Sequence, residues 1–264
     1  MATVATSNGV VPKITLYTNH ACPWAHRAHI ALKELDLPYE EVIIDLNRPR
    51  DEWYLKINPF KSSPSASPQF KRGLVPTIKY SNGILSDEII TESGIVAQFL
   101  ADARPSHLLP PSYESPTAPL FRARVNFFVD AYISKVLPLW FGALRSEGAE
   151  EKSEKIQVIV DAVAKEIEPL LKVKTEGQGP YFLGSEKLTL AEVQTAPFII
   201  RLYTFANDDF LPASLKTELE TRVPHFSAWA KKVIAQESVT YVFDAESITK
   251  HTKARFEKLK QEGK

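Results

Sequence analysis

The hydrophobic pattern of the chain changes near residue 104. Before that point, Lys13–Thr18 alternates apolar and other residues as a strand does, and further strand-like runs are separated by stretches of helical period. Beyond it the apolar residues follow helical spacing, and no run predicts a strand. The pattern therefore predicts an α/β domain followed by an all-helical domain.

The N-terminal part predicts a mixed four-stranded sheet. A helix over Pro23–Leu35 separates the first strand from a β-branched run at Glu41–Leu46, which gives a parallel βαβ unit. A strand over Leu74–Tyr80 then leads through an Asn-Gly turn into a strand at Ile84-Leu85. A helix over Glu92–Ala103 follows this antiparallel pair.

A segment rich in Pro, Ser and Thr at 105–118 predicts a linker between the domains. Thr189 and Glu192 have the spacing of a capping box, in which two side chains bond the first N–H groups of a helix. The predicted organisation is a tail over 1–11, an α/β domain over 12–104, the linker, and a helical domain over 119–264. Its helices are predicted at Leu120–Arg145 with a kink at Pro138, Glu150–Lys172, Leu190–Ala206, Leu215–Arg222, Pro224–Gln236 and Ala245–Lys260.

Composition argues against several classes of function. With 32 basic and 32 acidic residues among 264, the chain lacks the positive charge of nucleic-acid and anionic-membrane binders. One cysteine cannot form an intramolecular disulfide, which favours a reducing compartment. Met1–Val11 lacks the pattern of a signal peptide, and the most apolar stretch, Ala196–Ala206, is shorter than the roughly 20 residues of a membrane span. We therefore expect a cytoplasmic protein that binds neither nucleic acid nor membranes.

The single cysteine stands where a strand is predicted to end and a helix to begin. Cys22 directly precedes Pro23, whose fixed φ angle suits the first position of a helix. The unpaired N–H groups and the dipole of a helix N-terminus favour a thiolate over a thiol. The sequence therefore predicts a nucleophilic cysteine.

The order of these elements and three motifs resemble the cytosolic glutathione transferases over residues 12–245. The resemblance implies a thioredoxin-like α/β domain that binds glutathione, an all-α domain after it and, from the family alone, a homodimer. Glu192 in the capping box stands where the family's folding motif usually has an aspartate. The three motifs are Cys22-Pro23-Trp24-Ala25-His26-Arg27, Gly73-Leu74-Val75-Pro76-Thr77 and Thr91-Glu92-Ser93.

The resemblance also implies how glutathione would bind. Pro76 is expected to follow a cis peptide bond that turns the backbone of Val75 toward the cysteinyl part of glutathione. Glu92 is expected to bind the ammonium of the γ-glutamyl group, and Ser93 its carboxylate together with helix N–H groups. Arg50 is expected to bind the glycyl carboxylate.

A cysteine at the nucleophile position is similar to the omega class of the family and to the glutathionyl-hydroquinone reductases. The long extension and additional motifs of the latter are absent, which favours the omega class. The resemblance implies thioltransferase and dehydroascorbate reductase activity, with glutathione as a substrate and a Cys22–glutathione mixed disulfide as the intermediate. Two alternatives stay open: a conjugating transferase in detoxification or a biosynthetic pathway, and a non-enzymatic glutathione-binding regulatory protein.

The acceptor is expected to be a small hydrophobic or glutathionylated molecule. We expect its site to include Trp24 and aromatic residues of the helical domain, namely Phe128, Tyr132 and Trp140, although aromatic stripes at helical spacing also form cores. An insertion at 61–71 is expected beside the glutathione site, either as a lid or specificity loop or as a surface loop without a role.

The histidines around Cys22 suggest an alternative chemistry. His20, His26 and His29 lie close to the cysteine in sequence, and Cys and His are the usual ligands of zinc. Because the resemblance to glutathione transferases explains this region without a metal, we expect no metal here.

Overall fold

The computed structural model describes residues 10–58, 73–146, 148–172 and 179–261. The chain divides into two compact units, Met1–Ser106 and His107–Lys264. The division falls inside the segment predicted as a linker. Part of that segment belongs to the helical unit, because the N–H of Leu190 donates to the carbonyl of Leu108 at 2.7 Å.

The first unit contains a four-stranded sheet in the order β2-β1-β3-β4. Its elements, in chain order, are β1 (Lys13–Thr18), α1 (Pro23–Glu34), β2 (Glu40–Ile43), α2 (Glu52–Ile57), β3 (Thr77–Ser81), β4 (Glu88–Thr91) and α3 (Ser93–Asp102). β1 pairs in parallel with β2 and antiparallel with β3, and β3 pairs antiparallel with β4. α1 packs against α3. The predicted mixed sheet is confirmed.

The hairpin between β3 and β4 differs from the prediction. A strand at Ile84-Leu85 is wrong, because β4 begins at Glu88. Asn82 Oδ1 accepts the N–H of Ile84 at 3.1 Å and that of Leu85 at 2.8 Å, which holds both residues in a turn. A side chain that bonds nearby backbone in this way competes with strand pairing. The turn is therefore longer than the Asn-Gly signal indicates.

The second unit is built from helices. They are α4 (Ala118–Ala131), α5 (Leu137–Leu144), α6 (Ala149–Ala162), α7 (Glu168–Lys172), α8 (Leu190–Phe205), α9 (Ser214–Arg222), α10 (Pro224–Ile234), α11 (Glu237–Thr240) and α12 (Ala245–Gln261). The four residues of α11 have no counterpart among the predicted helices. The other predicted helices are confirmed, two of them in interrupted form.

Both interruptions are π turns, and each ends two residues before a proline. Tyr132–Val136 joins α4 to α5 ahead of Pro138, and Val163–Ile167 joins α6 to α7 ahead of Pro169. Proline has no N–H to donate, and its ring crowds the carbonyl of the preceding turn. A widened turn at these points absorbs that conflict. The irregularity predicted at Pro138 is thus a π turn.

One continuous helical stretch, Ala118–Leu144, is long and apolar enough by length and composition to cross a membrane. Among the 18 consecutive residues of this stretch that are most apolar, 44% are buried inside the protein. Val125, Phe128 and Trp140 are each at most 1% exposed. Core helices of water-soluble domains meet the same criterion, and the buried residues show that one side of this stretch packs inside the second unit.

A buried carboxylate organises the start of α8. Glu192 Oε2 accepts the N–H of Thr189 at 2.8 Å, while Thr189 Oγ1 accepts the N–H of Ala191 at 3.1 Å, so the predicted capping box is confirmed. Glu192 Oε1 also accepts from Phe182 N at 2.6 Å and from Trp229 Nε1 at 2.7 Å. Burial raises the pKa of Glu192, while these donors favour its carboxylate form. One side chain therefore ties α8 to α10 and to the turn at Phe182.

Candidate active site

A cleft of about 480 Å³ opens in the first unit. Its size is that of a small-molecule site. The three motifs singled out in the sequence all contribute to it, from the start of α1, the loop before β3 and the start of α3. Among the lining residues are Trp24, Arg27, Val75, Pro76, Glu92 and Ser93.

Cys22 is the N-cap residue of α1, as predicted. Its N–H donates to the Asn19 carbonyl at 3.0 Å, and its carbonyl accepts from the N–H of His26 at 3.1 Å. The half-buried side chain packs against an apolar cluster that includes Tyr17 and Val75. The sulfur lies 4.0 Å from the Val75 carbonyl oxygen. The thiol is therefore held at the positive end of a helix dipole and against the cleft-lining loop.

The loop before β3 carries the predicted cis bond between Val75 and Pro76. Tyr54 Oη and Asn58 Nδ2 donate to the Leu74 carbonyl at 2.7 and 3.0 Å. Asn58 Nδ2 also donates to Thr77 Oγ1 at 2.9 Å, and Thr77 Oγ1 lies 3.2 Å from Tyr54 Oη. We call Tyr54, Asn58, Thr77 and the Leu74 carbonyl the Leu74 network. It fixes the backbone on both sides of Val75-Pro76.

Sequence reasoning missed the members of the Leu74 network as site residues. Tyr54 and Asn58 are four positions apart, at the end of α2, so their side chains project from the same face. That spacing is the only signal in the sequence, and it does not reveal the Leu74 carbonyl as the shared partner.

The N-terminus of α3 offers groups of both charges. Glu92 is the N-cap residue, with a φ angle of 67°, and its exposed carboxylate lines the cleft. Ser93 is the first residue of this ten-residue helix and is buried. It lines the cleft, so the first backbone N–H groups of the helix lie at the cleft as well. Helix N-termini bind anions through such N–H groups, and a carboxylate binds a cation. The pair can therefore receive the ammonium and the carboxylate of one amino acid.

Arg27 adds a buried positive charge to the same wall. It is 4% exposed, and its Nη1 donates to Ser93 Oγ at 3.1 Å. Its guanidinium carbon lies 4.8 Å from the centre of the Trp24 ring. Burial lowers the pKa of Arg27 to about 9, which leaves the group cationic at neutral pH. Arg27 thus orients Ser93 and makes this part of the cleft attractive to an anion.

Arg50 does not line the cleft. Its Nε donates to the Gly73 carbonyl at 3.1 Å, and its Nη1 donates to the carbonyls of Asp45 and Arg48, each at 2.8 Å. These bonds tie the segment before α2 to the residue that precedes Leu74. Its role toward the glycyl carboxylate stays a prediction.

Of the predicted acceptor-site residues, Trp24 lines the cleft. Phe128, Tyr132 and Trp140 are each at most 1% exposed in the helical unit. Phe128 packs against the rings of Phe182 and Trp229, with centroids 4.5 and 5.3 Å apart. These three residues are core positions, and their contribution to acceptor binding stays a prediction. The insertion at 61–71 lies outside the described residues.

Within the described ranges of the chain, the residues near Cys22 that group as metal ligands are His20, His29 and Glu41, and this group does not include the cysteine. Glu41 Oε1 lies 2.8 Å from His20 Nε2 and 3.4 Å from His29 Nε2. Burial, and secondarily the neighbouring His20, lowers the pKa of His29 to about 3, so its ring is neutral. His26 is buried at another point of α1. Glu41 was not predicted as a member of this group, because the pairing of β1 with β2, and not its spacing along the chain, brings it to the two histidines.

A thioredoxin-like unit with a cysteine at the first helix and a cis-proline loop, followed by a helical unit, defines the class of glutathione-binding transferases. The chain belongs to the glutathione S-transferase family. Residues 21–103 match the glutathione S-transferase N-terminal domain, and residues 123–214 match the C-terminal domain.

Individual relatives point to one part of this family. Mouse glutathione S-transferase omega-1 is 29% identical over 216 residues, which cover 80% of this chain and 77% of the relative. Arabidopsis thaliana glutathione S-transferase DHAR3, chloroplastic, is 24% identical over 243 residues, or 91% of this chain and 77% of the relative. The crystal structure of glutathione transferase Omega 1C from Trametes versicolor is 28% identical, with a TM-score of 0.69 over 94% of this chain and 98% of that one.

Proposed function

We propose that this protein is an omega-like glutathione transferase that acts through Cys22 in glutathione-dependent thiol transfer and reduction. The observation that carries the proposal is the position of the Cys22 sulfur, at the N-terminus of α1 and 4.0 Å from the carbonyl of Val75 in the cis-proline loop. The likeness to omega-class transferases and to DHAR3 supports this class of activity.

In the proposed reaction, the Cys22 thiolate attacks the glutathione sulfur of a mixed disulfide. The sulfur–sulfur bond of the substrate breaks, its thiolate leaves and takes a proton from solvent, and Cys22 is joined to glutathione. A second glutathione thiolate then attacks the same sulfur, which releases oxidised glutathione and restores the Cys22 thiolate. The second glutathione is the reductant, because its sulfur is oxidised to the disulfide level as the substrate's sulfur is released as a thiol. No second cysteine is required, which agrees with the single cysteine of the chain.

Residues of the cleft support the binding of glutathione in this reaction. Glu92 would pair with the ammonium of the γ-glutamyl group, and Ser93 with the α3 N–H groups would bind its carboxylate. Arg27 adds positive charge beside Ser93. The backbone of Val75 would bond the cysteinyl part, which brings the glutathione sulfur toward Cys22.

The proposal is tested with Cys22→Ser, assayed with a glutathione mixed disulfide and with an electrophile that accepts glutathione. We expect reductase activity to fall at least about a hundredfold, because the nucleophile is lost, while conjugation persists or rises. Oxidised glutathione should add one glutathionyl group to the intact mass of the natural protein and none to the variant. Ser153→Ala, at an exposed position of α6 in the second unit, is the control and should not change reduction.

The remaining outcomes identify the alternatives. Reductase activity that survives Cys22→Ser overturns the proposal. Conjugation without any mixed-disulfide reduction in the natural protein indicates a conjugating transferase in detoxification or biosynthesis. Absence of turnover with both substrates, and of glutathione on Cys22, indicates a non-enzymatic binding protein.

We further propose that the protein is a cytoplasmic homodimer whose acceptor is small and hydrophobic or glutathionylated. A single cysteine suits a reducing compartment, and family membership supports the dimer. Sedimentation velocity measures the mass of the assembly, and cell fractionation measures its location. A monomeric mass, or recovery with membranes, contradicts the corresponding part.

A further inference from the structure

Three side chains with metal-binding groups converge beside the loop that precedes Cys22. His20 lies in that loop, His29 lies on α1, and Glu41 lies on β2. Their ligand atoms all lie within 4.8 Å of one another. Glu41 Oε1 is 2.8 Å from His20 Nε2 and 3.4 Å from His29 Nε2, and the two imidazole rings are 5.2 Å apart at their centres. The pairing of Leu16 with Glu41 in the sheet sets the position of the carboxylate.

Contacts around His29 prepare one of its nitrogens for a ligand bond. Its Nδ1 lies 3.2 Å from Tyr39 Oη, while its Nε2 lies 2.8 Å from Thr18 Oγ1 and faces Glu41. When Nδ1–H donates to Tyr39, the Nε2 lone pair accepts from the Thr18 hydroxyl, and a metal ion would take the place of that hydrogen. Metal-binding histidines are typically fixed in this way, by a bond from the other ring nitrogen.

The ligand set selects the kind of ion. Two imidazoles and one carboxylate suit Zn²⁺ and neighbouring divalent transition metals, whereas Mg²⁺ and Ca²⁺ prefer oxygen ligands. Ligands of a tetrahedral Zn²⁺ at about 2.0–2.2 Å lie about 3.3–3.5 Å from one another. The separation of 3.4 Å between His29 and Glu41 already fits. The His20 side chain is 45% exposed, so it has room to turn into position.

We propose that His20, His29 and Glu41 form a binding site for Zn²⁺ or a similar divalent transition metal ion. The exposed sides of His20 and Glu41 leave the fourth position open to water. A bound ion would join the loop before Cys22 to β2 and α1, and would thereby hold the segment that carries the nucleophile. This inference does not depend on the proposed thiol chemistry, and it departs from the expectation that the protein binds no metal.

The test measures zinc binding to the full, tag-free protein by calorimetry after chelator treatment. We expect one Zn²⁺ per chain, with at least about a hundredfold weaker binding in His20→Ala and Glu41→Gln. Glu40→Gln is the matched control, an exposed carboxylate one residue away on the same strand, and should bind as the natural protein does. Zn²⁺ should also raise the thermal midpoint of the natural protein and of this control, but not of His20→Ala.

Cys22→Ser separates this site from the nucleophile, since a thiolate also binds zinc. The variant should keep the zinc site and the visible spectrum of tetrahedral Co²⁺, although its reductase activity is lost. Zinc binding that disappears in Cys22→Ser but persists in His20→Ala and Glu41→Gln overturns the proposal. Absence of binding to the natural protein also overturns it, and shows that the three side chains form a hydrogen-bonded cluster only.

Discussion

Each unit of this protein contains a buried polar network, and the two networks differ in their central group and in what they hold. The Leu74 network of the first unit consists of neutral groups, in which Tyr54 and Asn58 donate to the Leu74 carbonyl and both contact the Thr77 hydroxyl. The network of the second unit centres on the carboxylate of Glu192, which accepts four hydrogen bonds.

The difference separates function from stability. The Leu74 network holds residues that line the cleft, so damage to it should change ligand binding. Glu192 joins helices of the second unit and does not line that cleft. Loss of the Thr77 hydroxyl leaves one donor without its acceptor, whereas loss of the Glu192 carboxyl group leaves several buried groups without partners. A buried polar network therefore supports ligand binding in the first unit and stability in the second, and substitutions can distinguish these two roles.

The largest expected effect is that of Glu192→Ala. It leaves four uncharged donors without an acceptor, at about 1–3 kcal/mol for each that stays buried, so we expect the free energy of unfolding to fall by at least about 3 kcal/mol. Urea unfolding followed by tryptophan fluorescence measures this loss. Glu154→Ala, at an exposed position of α6, should change it by less than about 0.5 kcal/mol. If both variants lost the same free energy of unfolding, the hydrogen bonds of Glu192 would not stabilise the second unit.

Thr77→Val tests the neutral network. It keeps the shape of the side chain but removes the hydroxyl that accepts from Asn58 and contacts Tyr54, so we expect a loss of about 1–3 kcal/mol in stability. The KM for glutathione should rise several-fold, because the Val75-Pro76 backbone is less firmly held. Thr77→Ser keeps the hydroxyl and should retain the natural KM. Equal behaviour of valine and serine would show that the hydroxyl does not position the loop.

Gly73→Ala probes the backbone next to the same network. Gly73 has a φ angle of 64°, and a Cβ there would lie 3.1 Å from Arg50 Cγ and from Leu55 Cδ2. We expect a destabilisation of about 1–2 kcal/mol, measured as a lower thermal midpoint. Gly142→Ala should act in the opposite sense, by about 0.5–1 kcal/mol, since it lies in α5 with nothing within 4 Å of the added carbon. If both substitutions raised the thermal midpoint, the backbone at Gly73 would not require glycine.

The smallest expected effect is that of Ser93→Ala on glutathione binding. The variant loses a hydroxyl at the start of α3 but keeps the backbone N–H groups. We expect a loss of about 0.5–1.5 kcal/mol, which corresponds to a Kd about 2- to 12-fold higher by calorimetry. Ser153→Ala, at an exposed position of α6, should leave the Kd unchanged. A change confined to the stability of the protein would make Ser93 a purely structural residue.

Local sequence signals were sufficient for most of the fold. α1 and α8 are predictable because Pro23 and the Thr189 capping box mark where they begin. β4 is misplaced because the Asn82 side chain, not the backbone pattern, decides where the turn ends. The π turns depend on how the helix relaxes around Pro138 and Pro169, which a proline in the sequence does not specify.

For the site, the motifs predict the residues that the fold brings together, namely Cys22, Val75, Pro76, Glu92 and Ser93. Residues whose role depends on distant partners could not be predicted. Arg50 bonds backbone carbonyls that carry no sequence signature. Glu41 meets His20 and His29 only because β1 and β2 pair in one particular register.

The left-handed backbone of Glu92, with its φ angle of 67°, sets a limit on how this protein can be improved. Glycine would adopt that conformation at lower cost, so selection for thermal resistance alone would favour glycine at this position. The carboxylate at the cleft would then be lost. At position 92, thermal stability and ligand recognition therefore favour different residues. Substitutions that raise stability without loss of ligand binding have to be made at other positions of the chain.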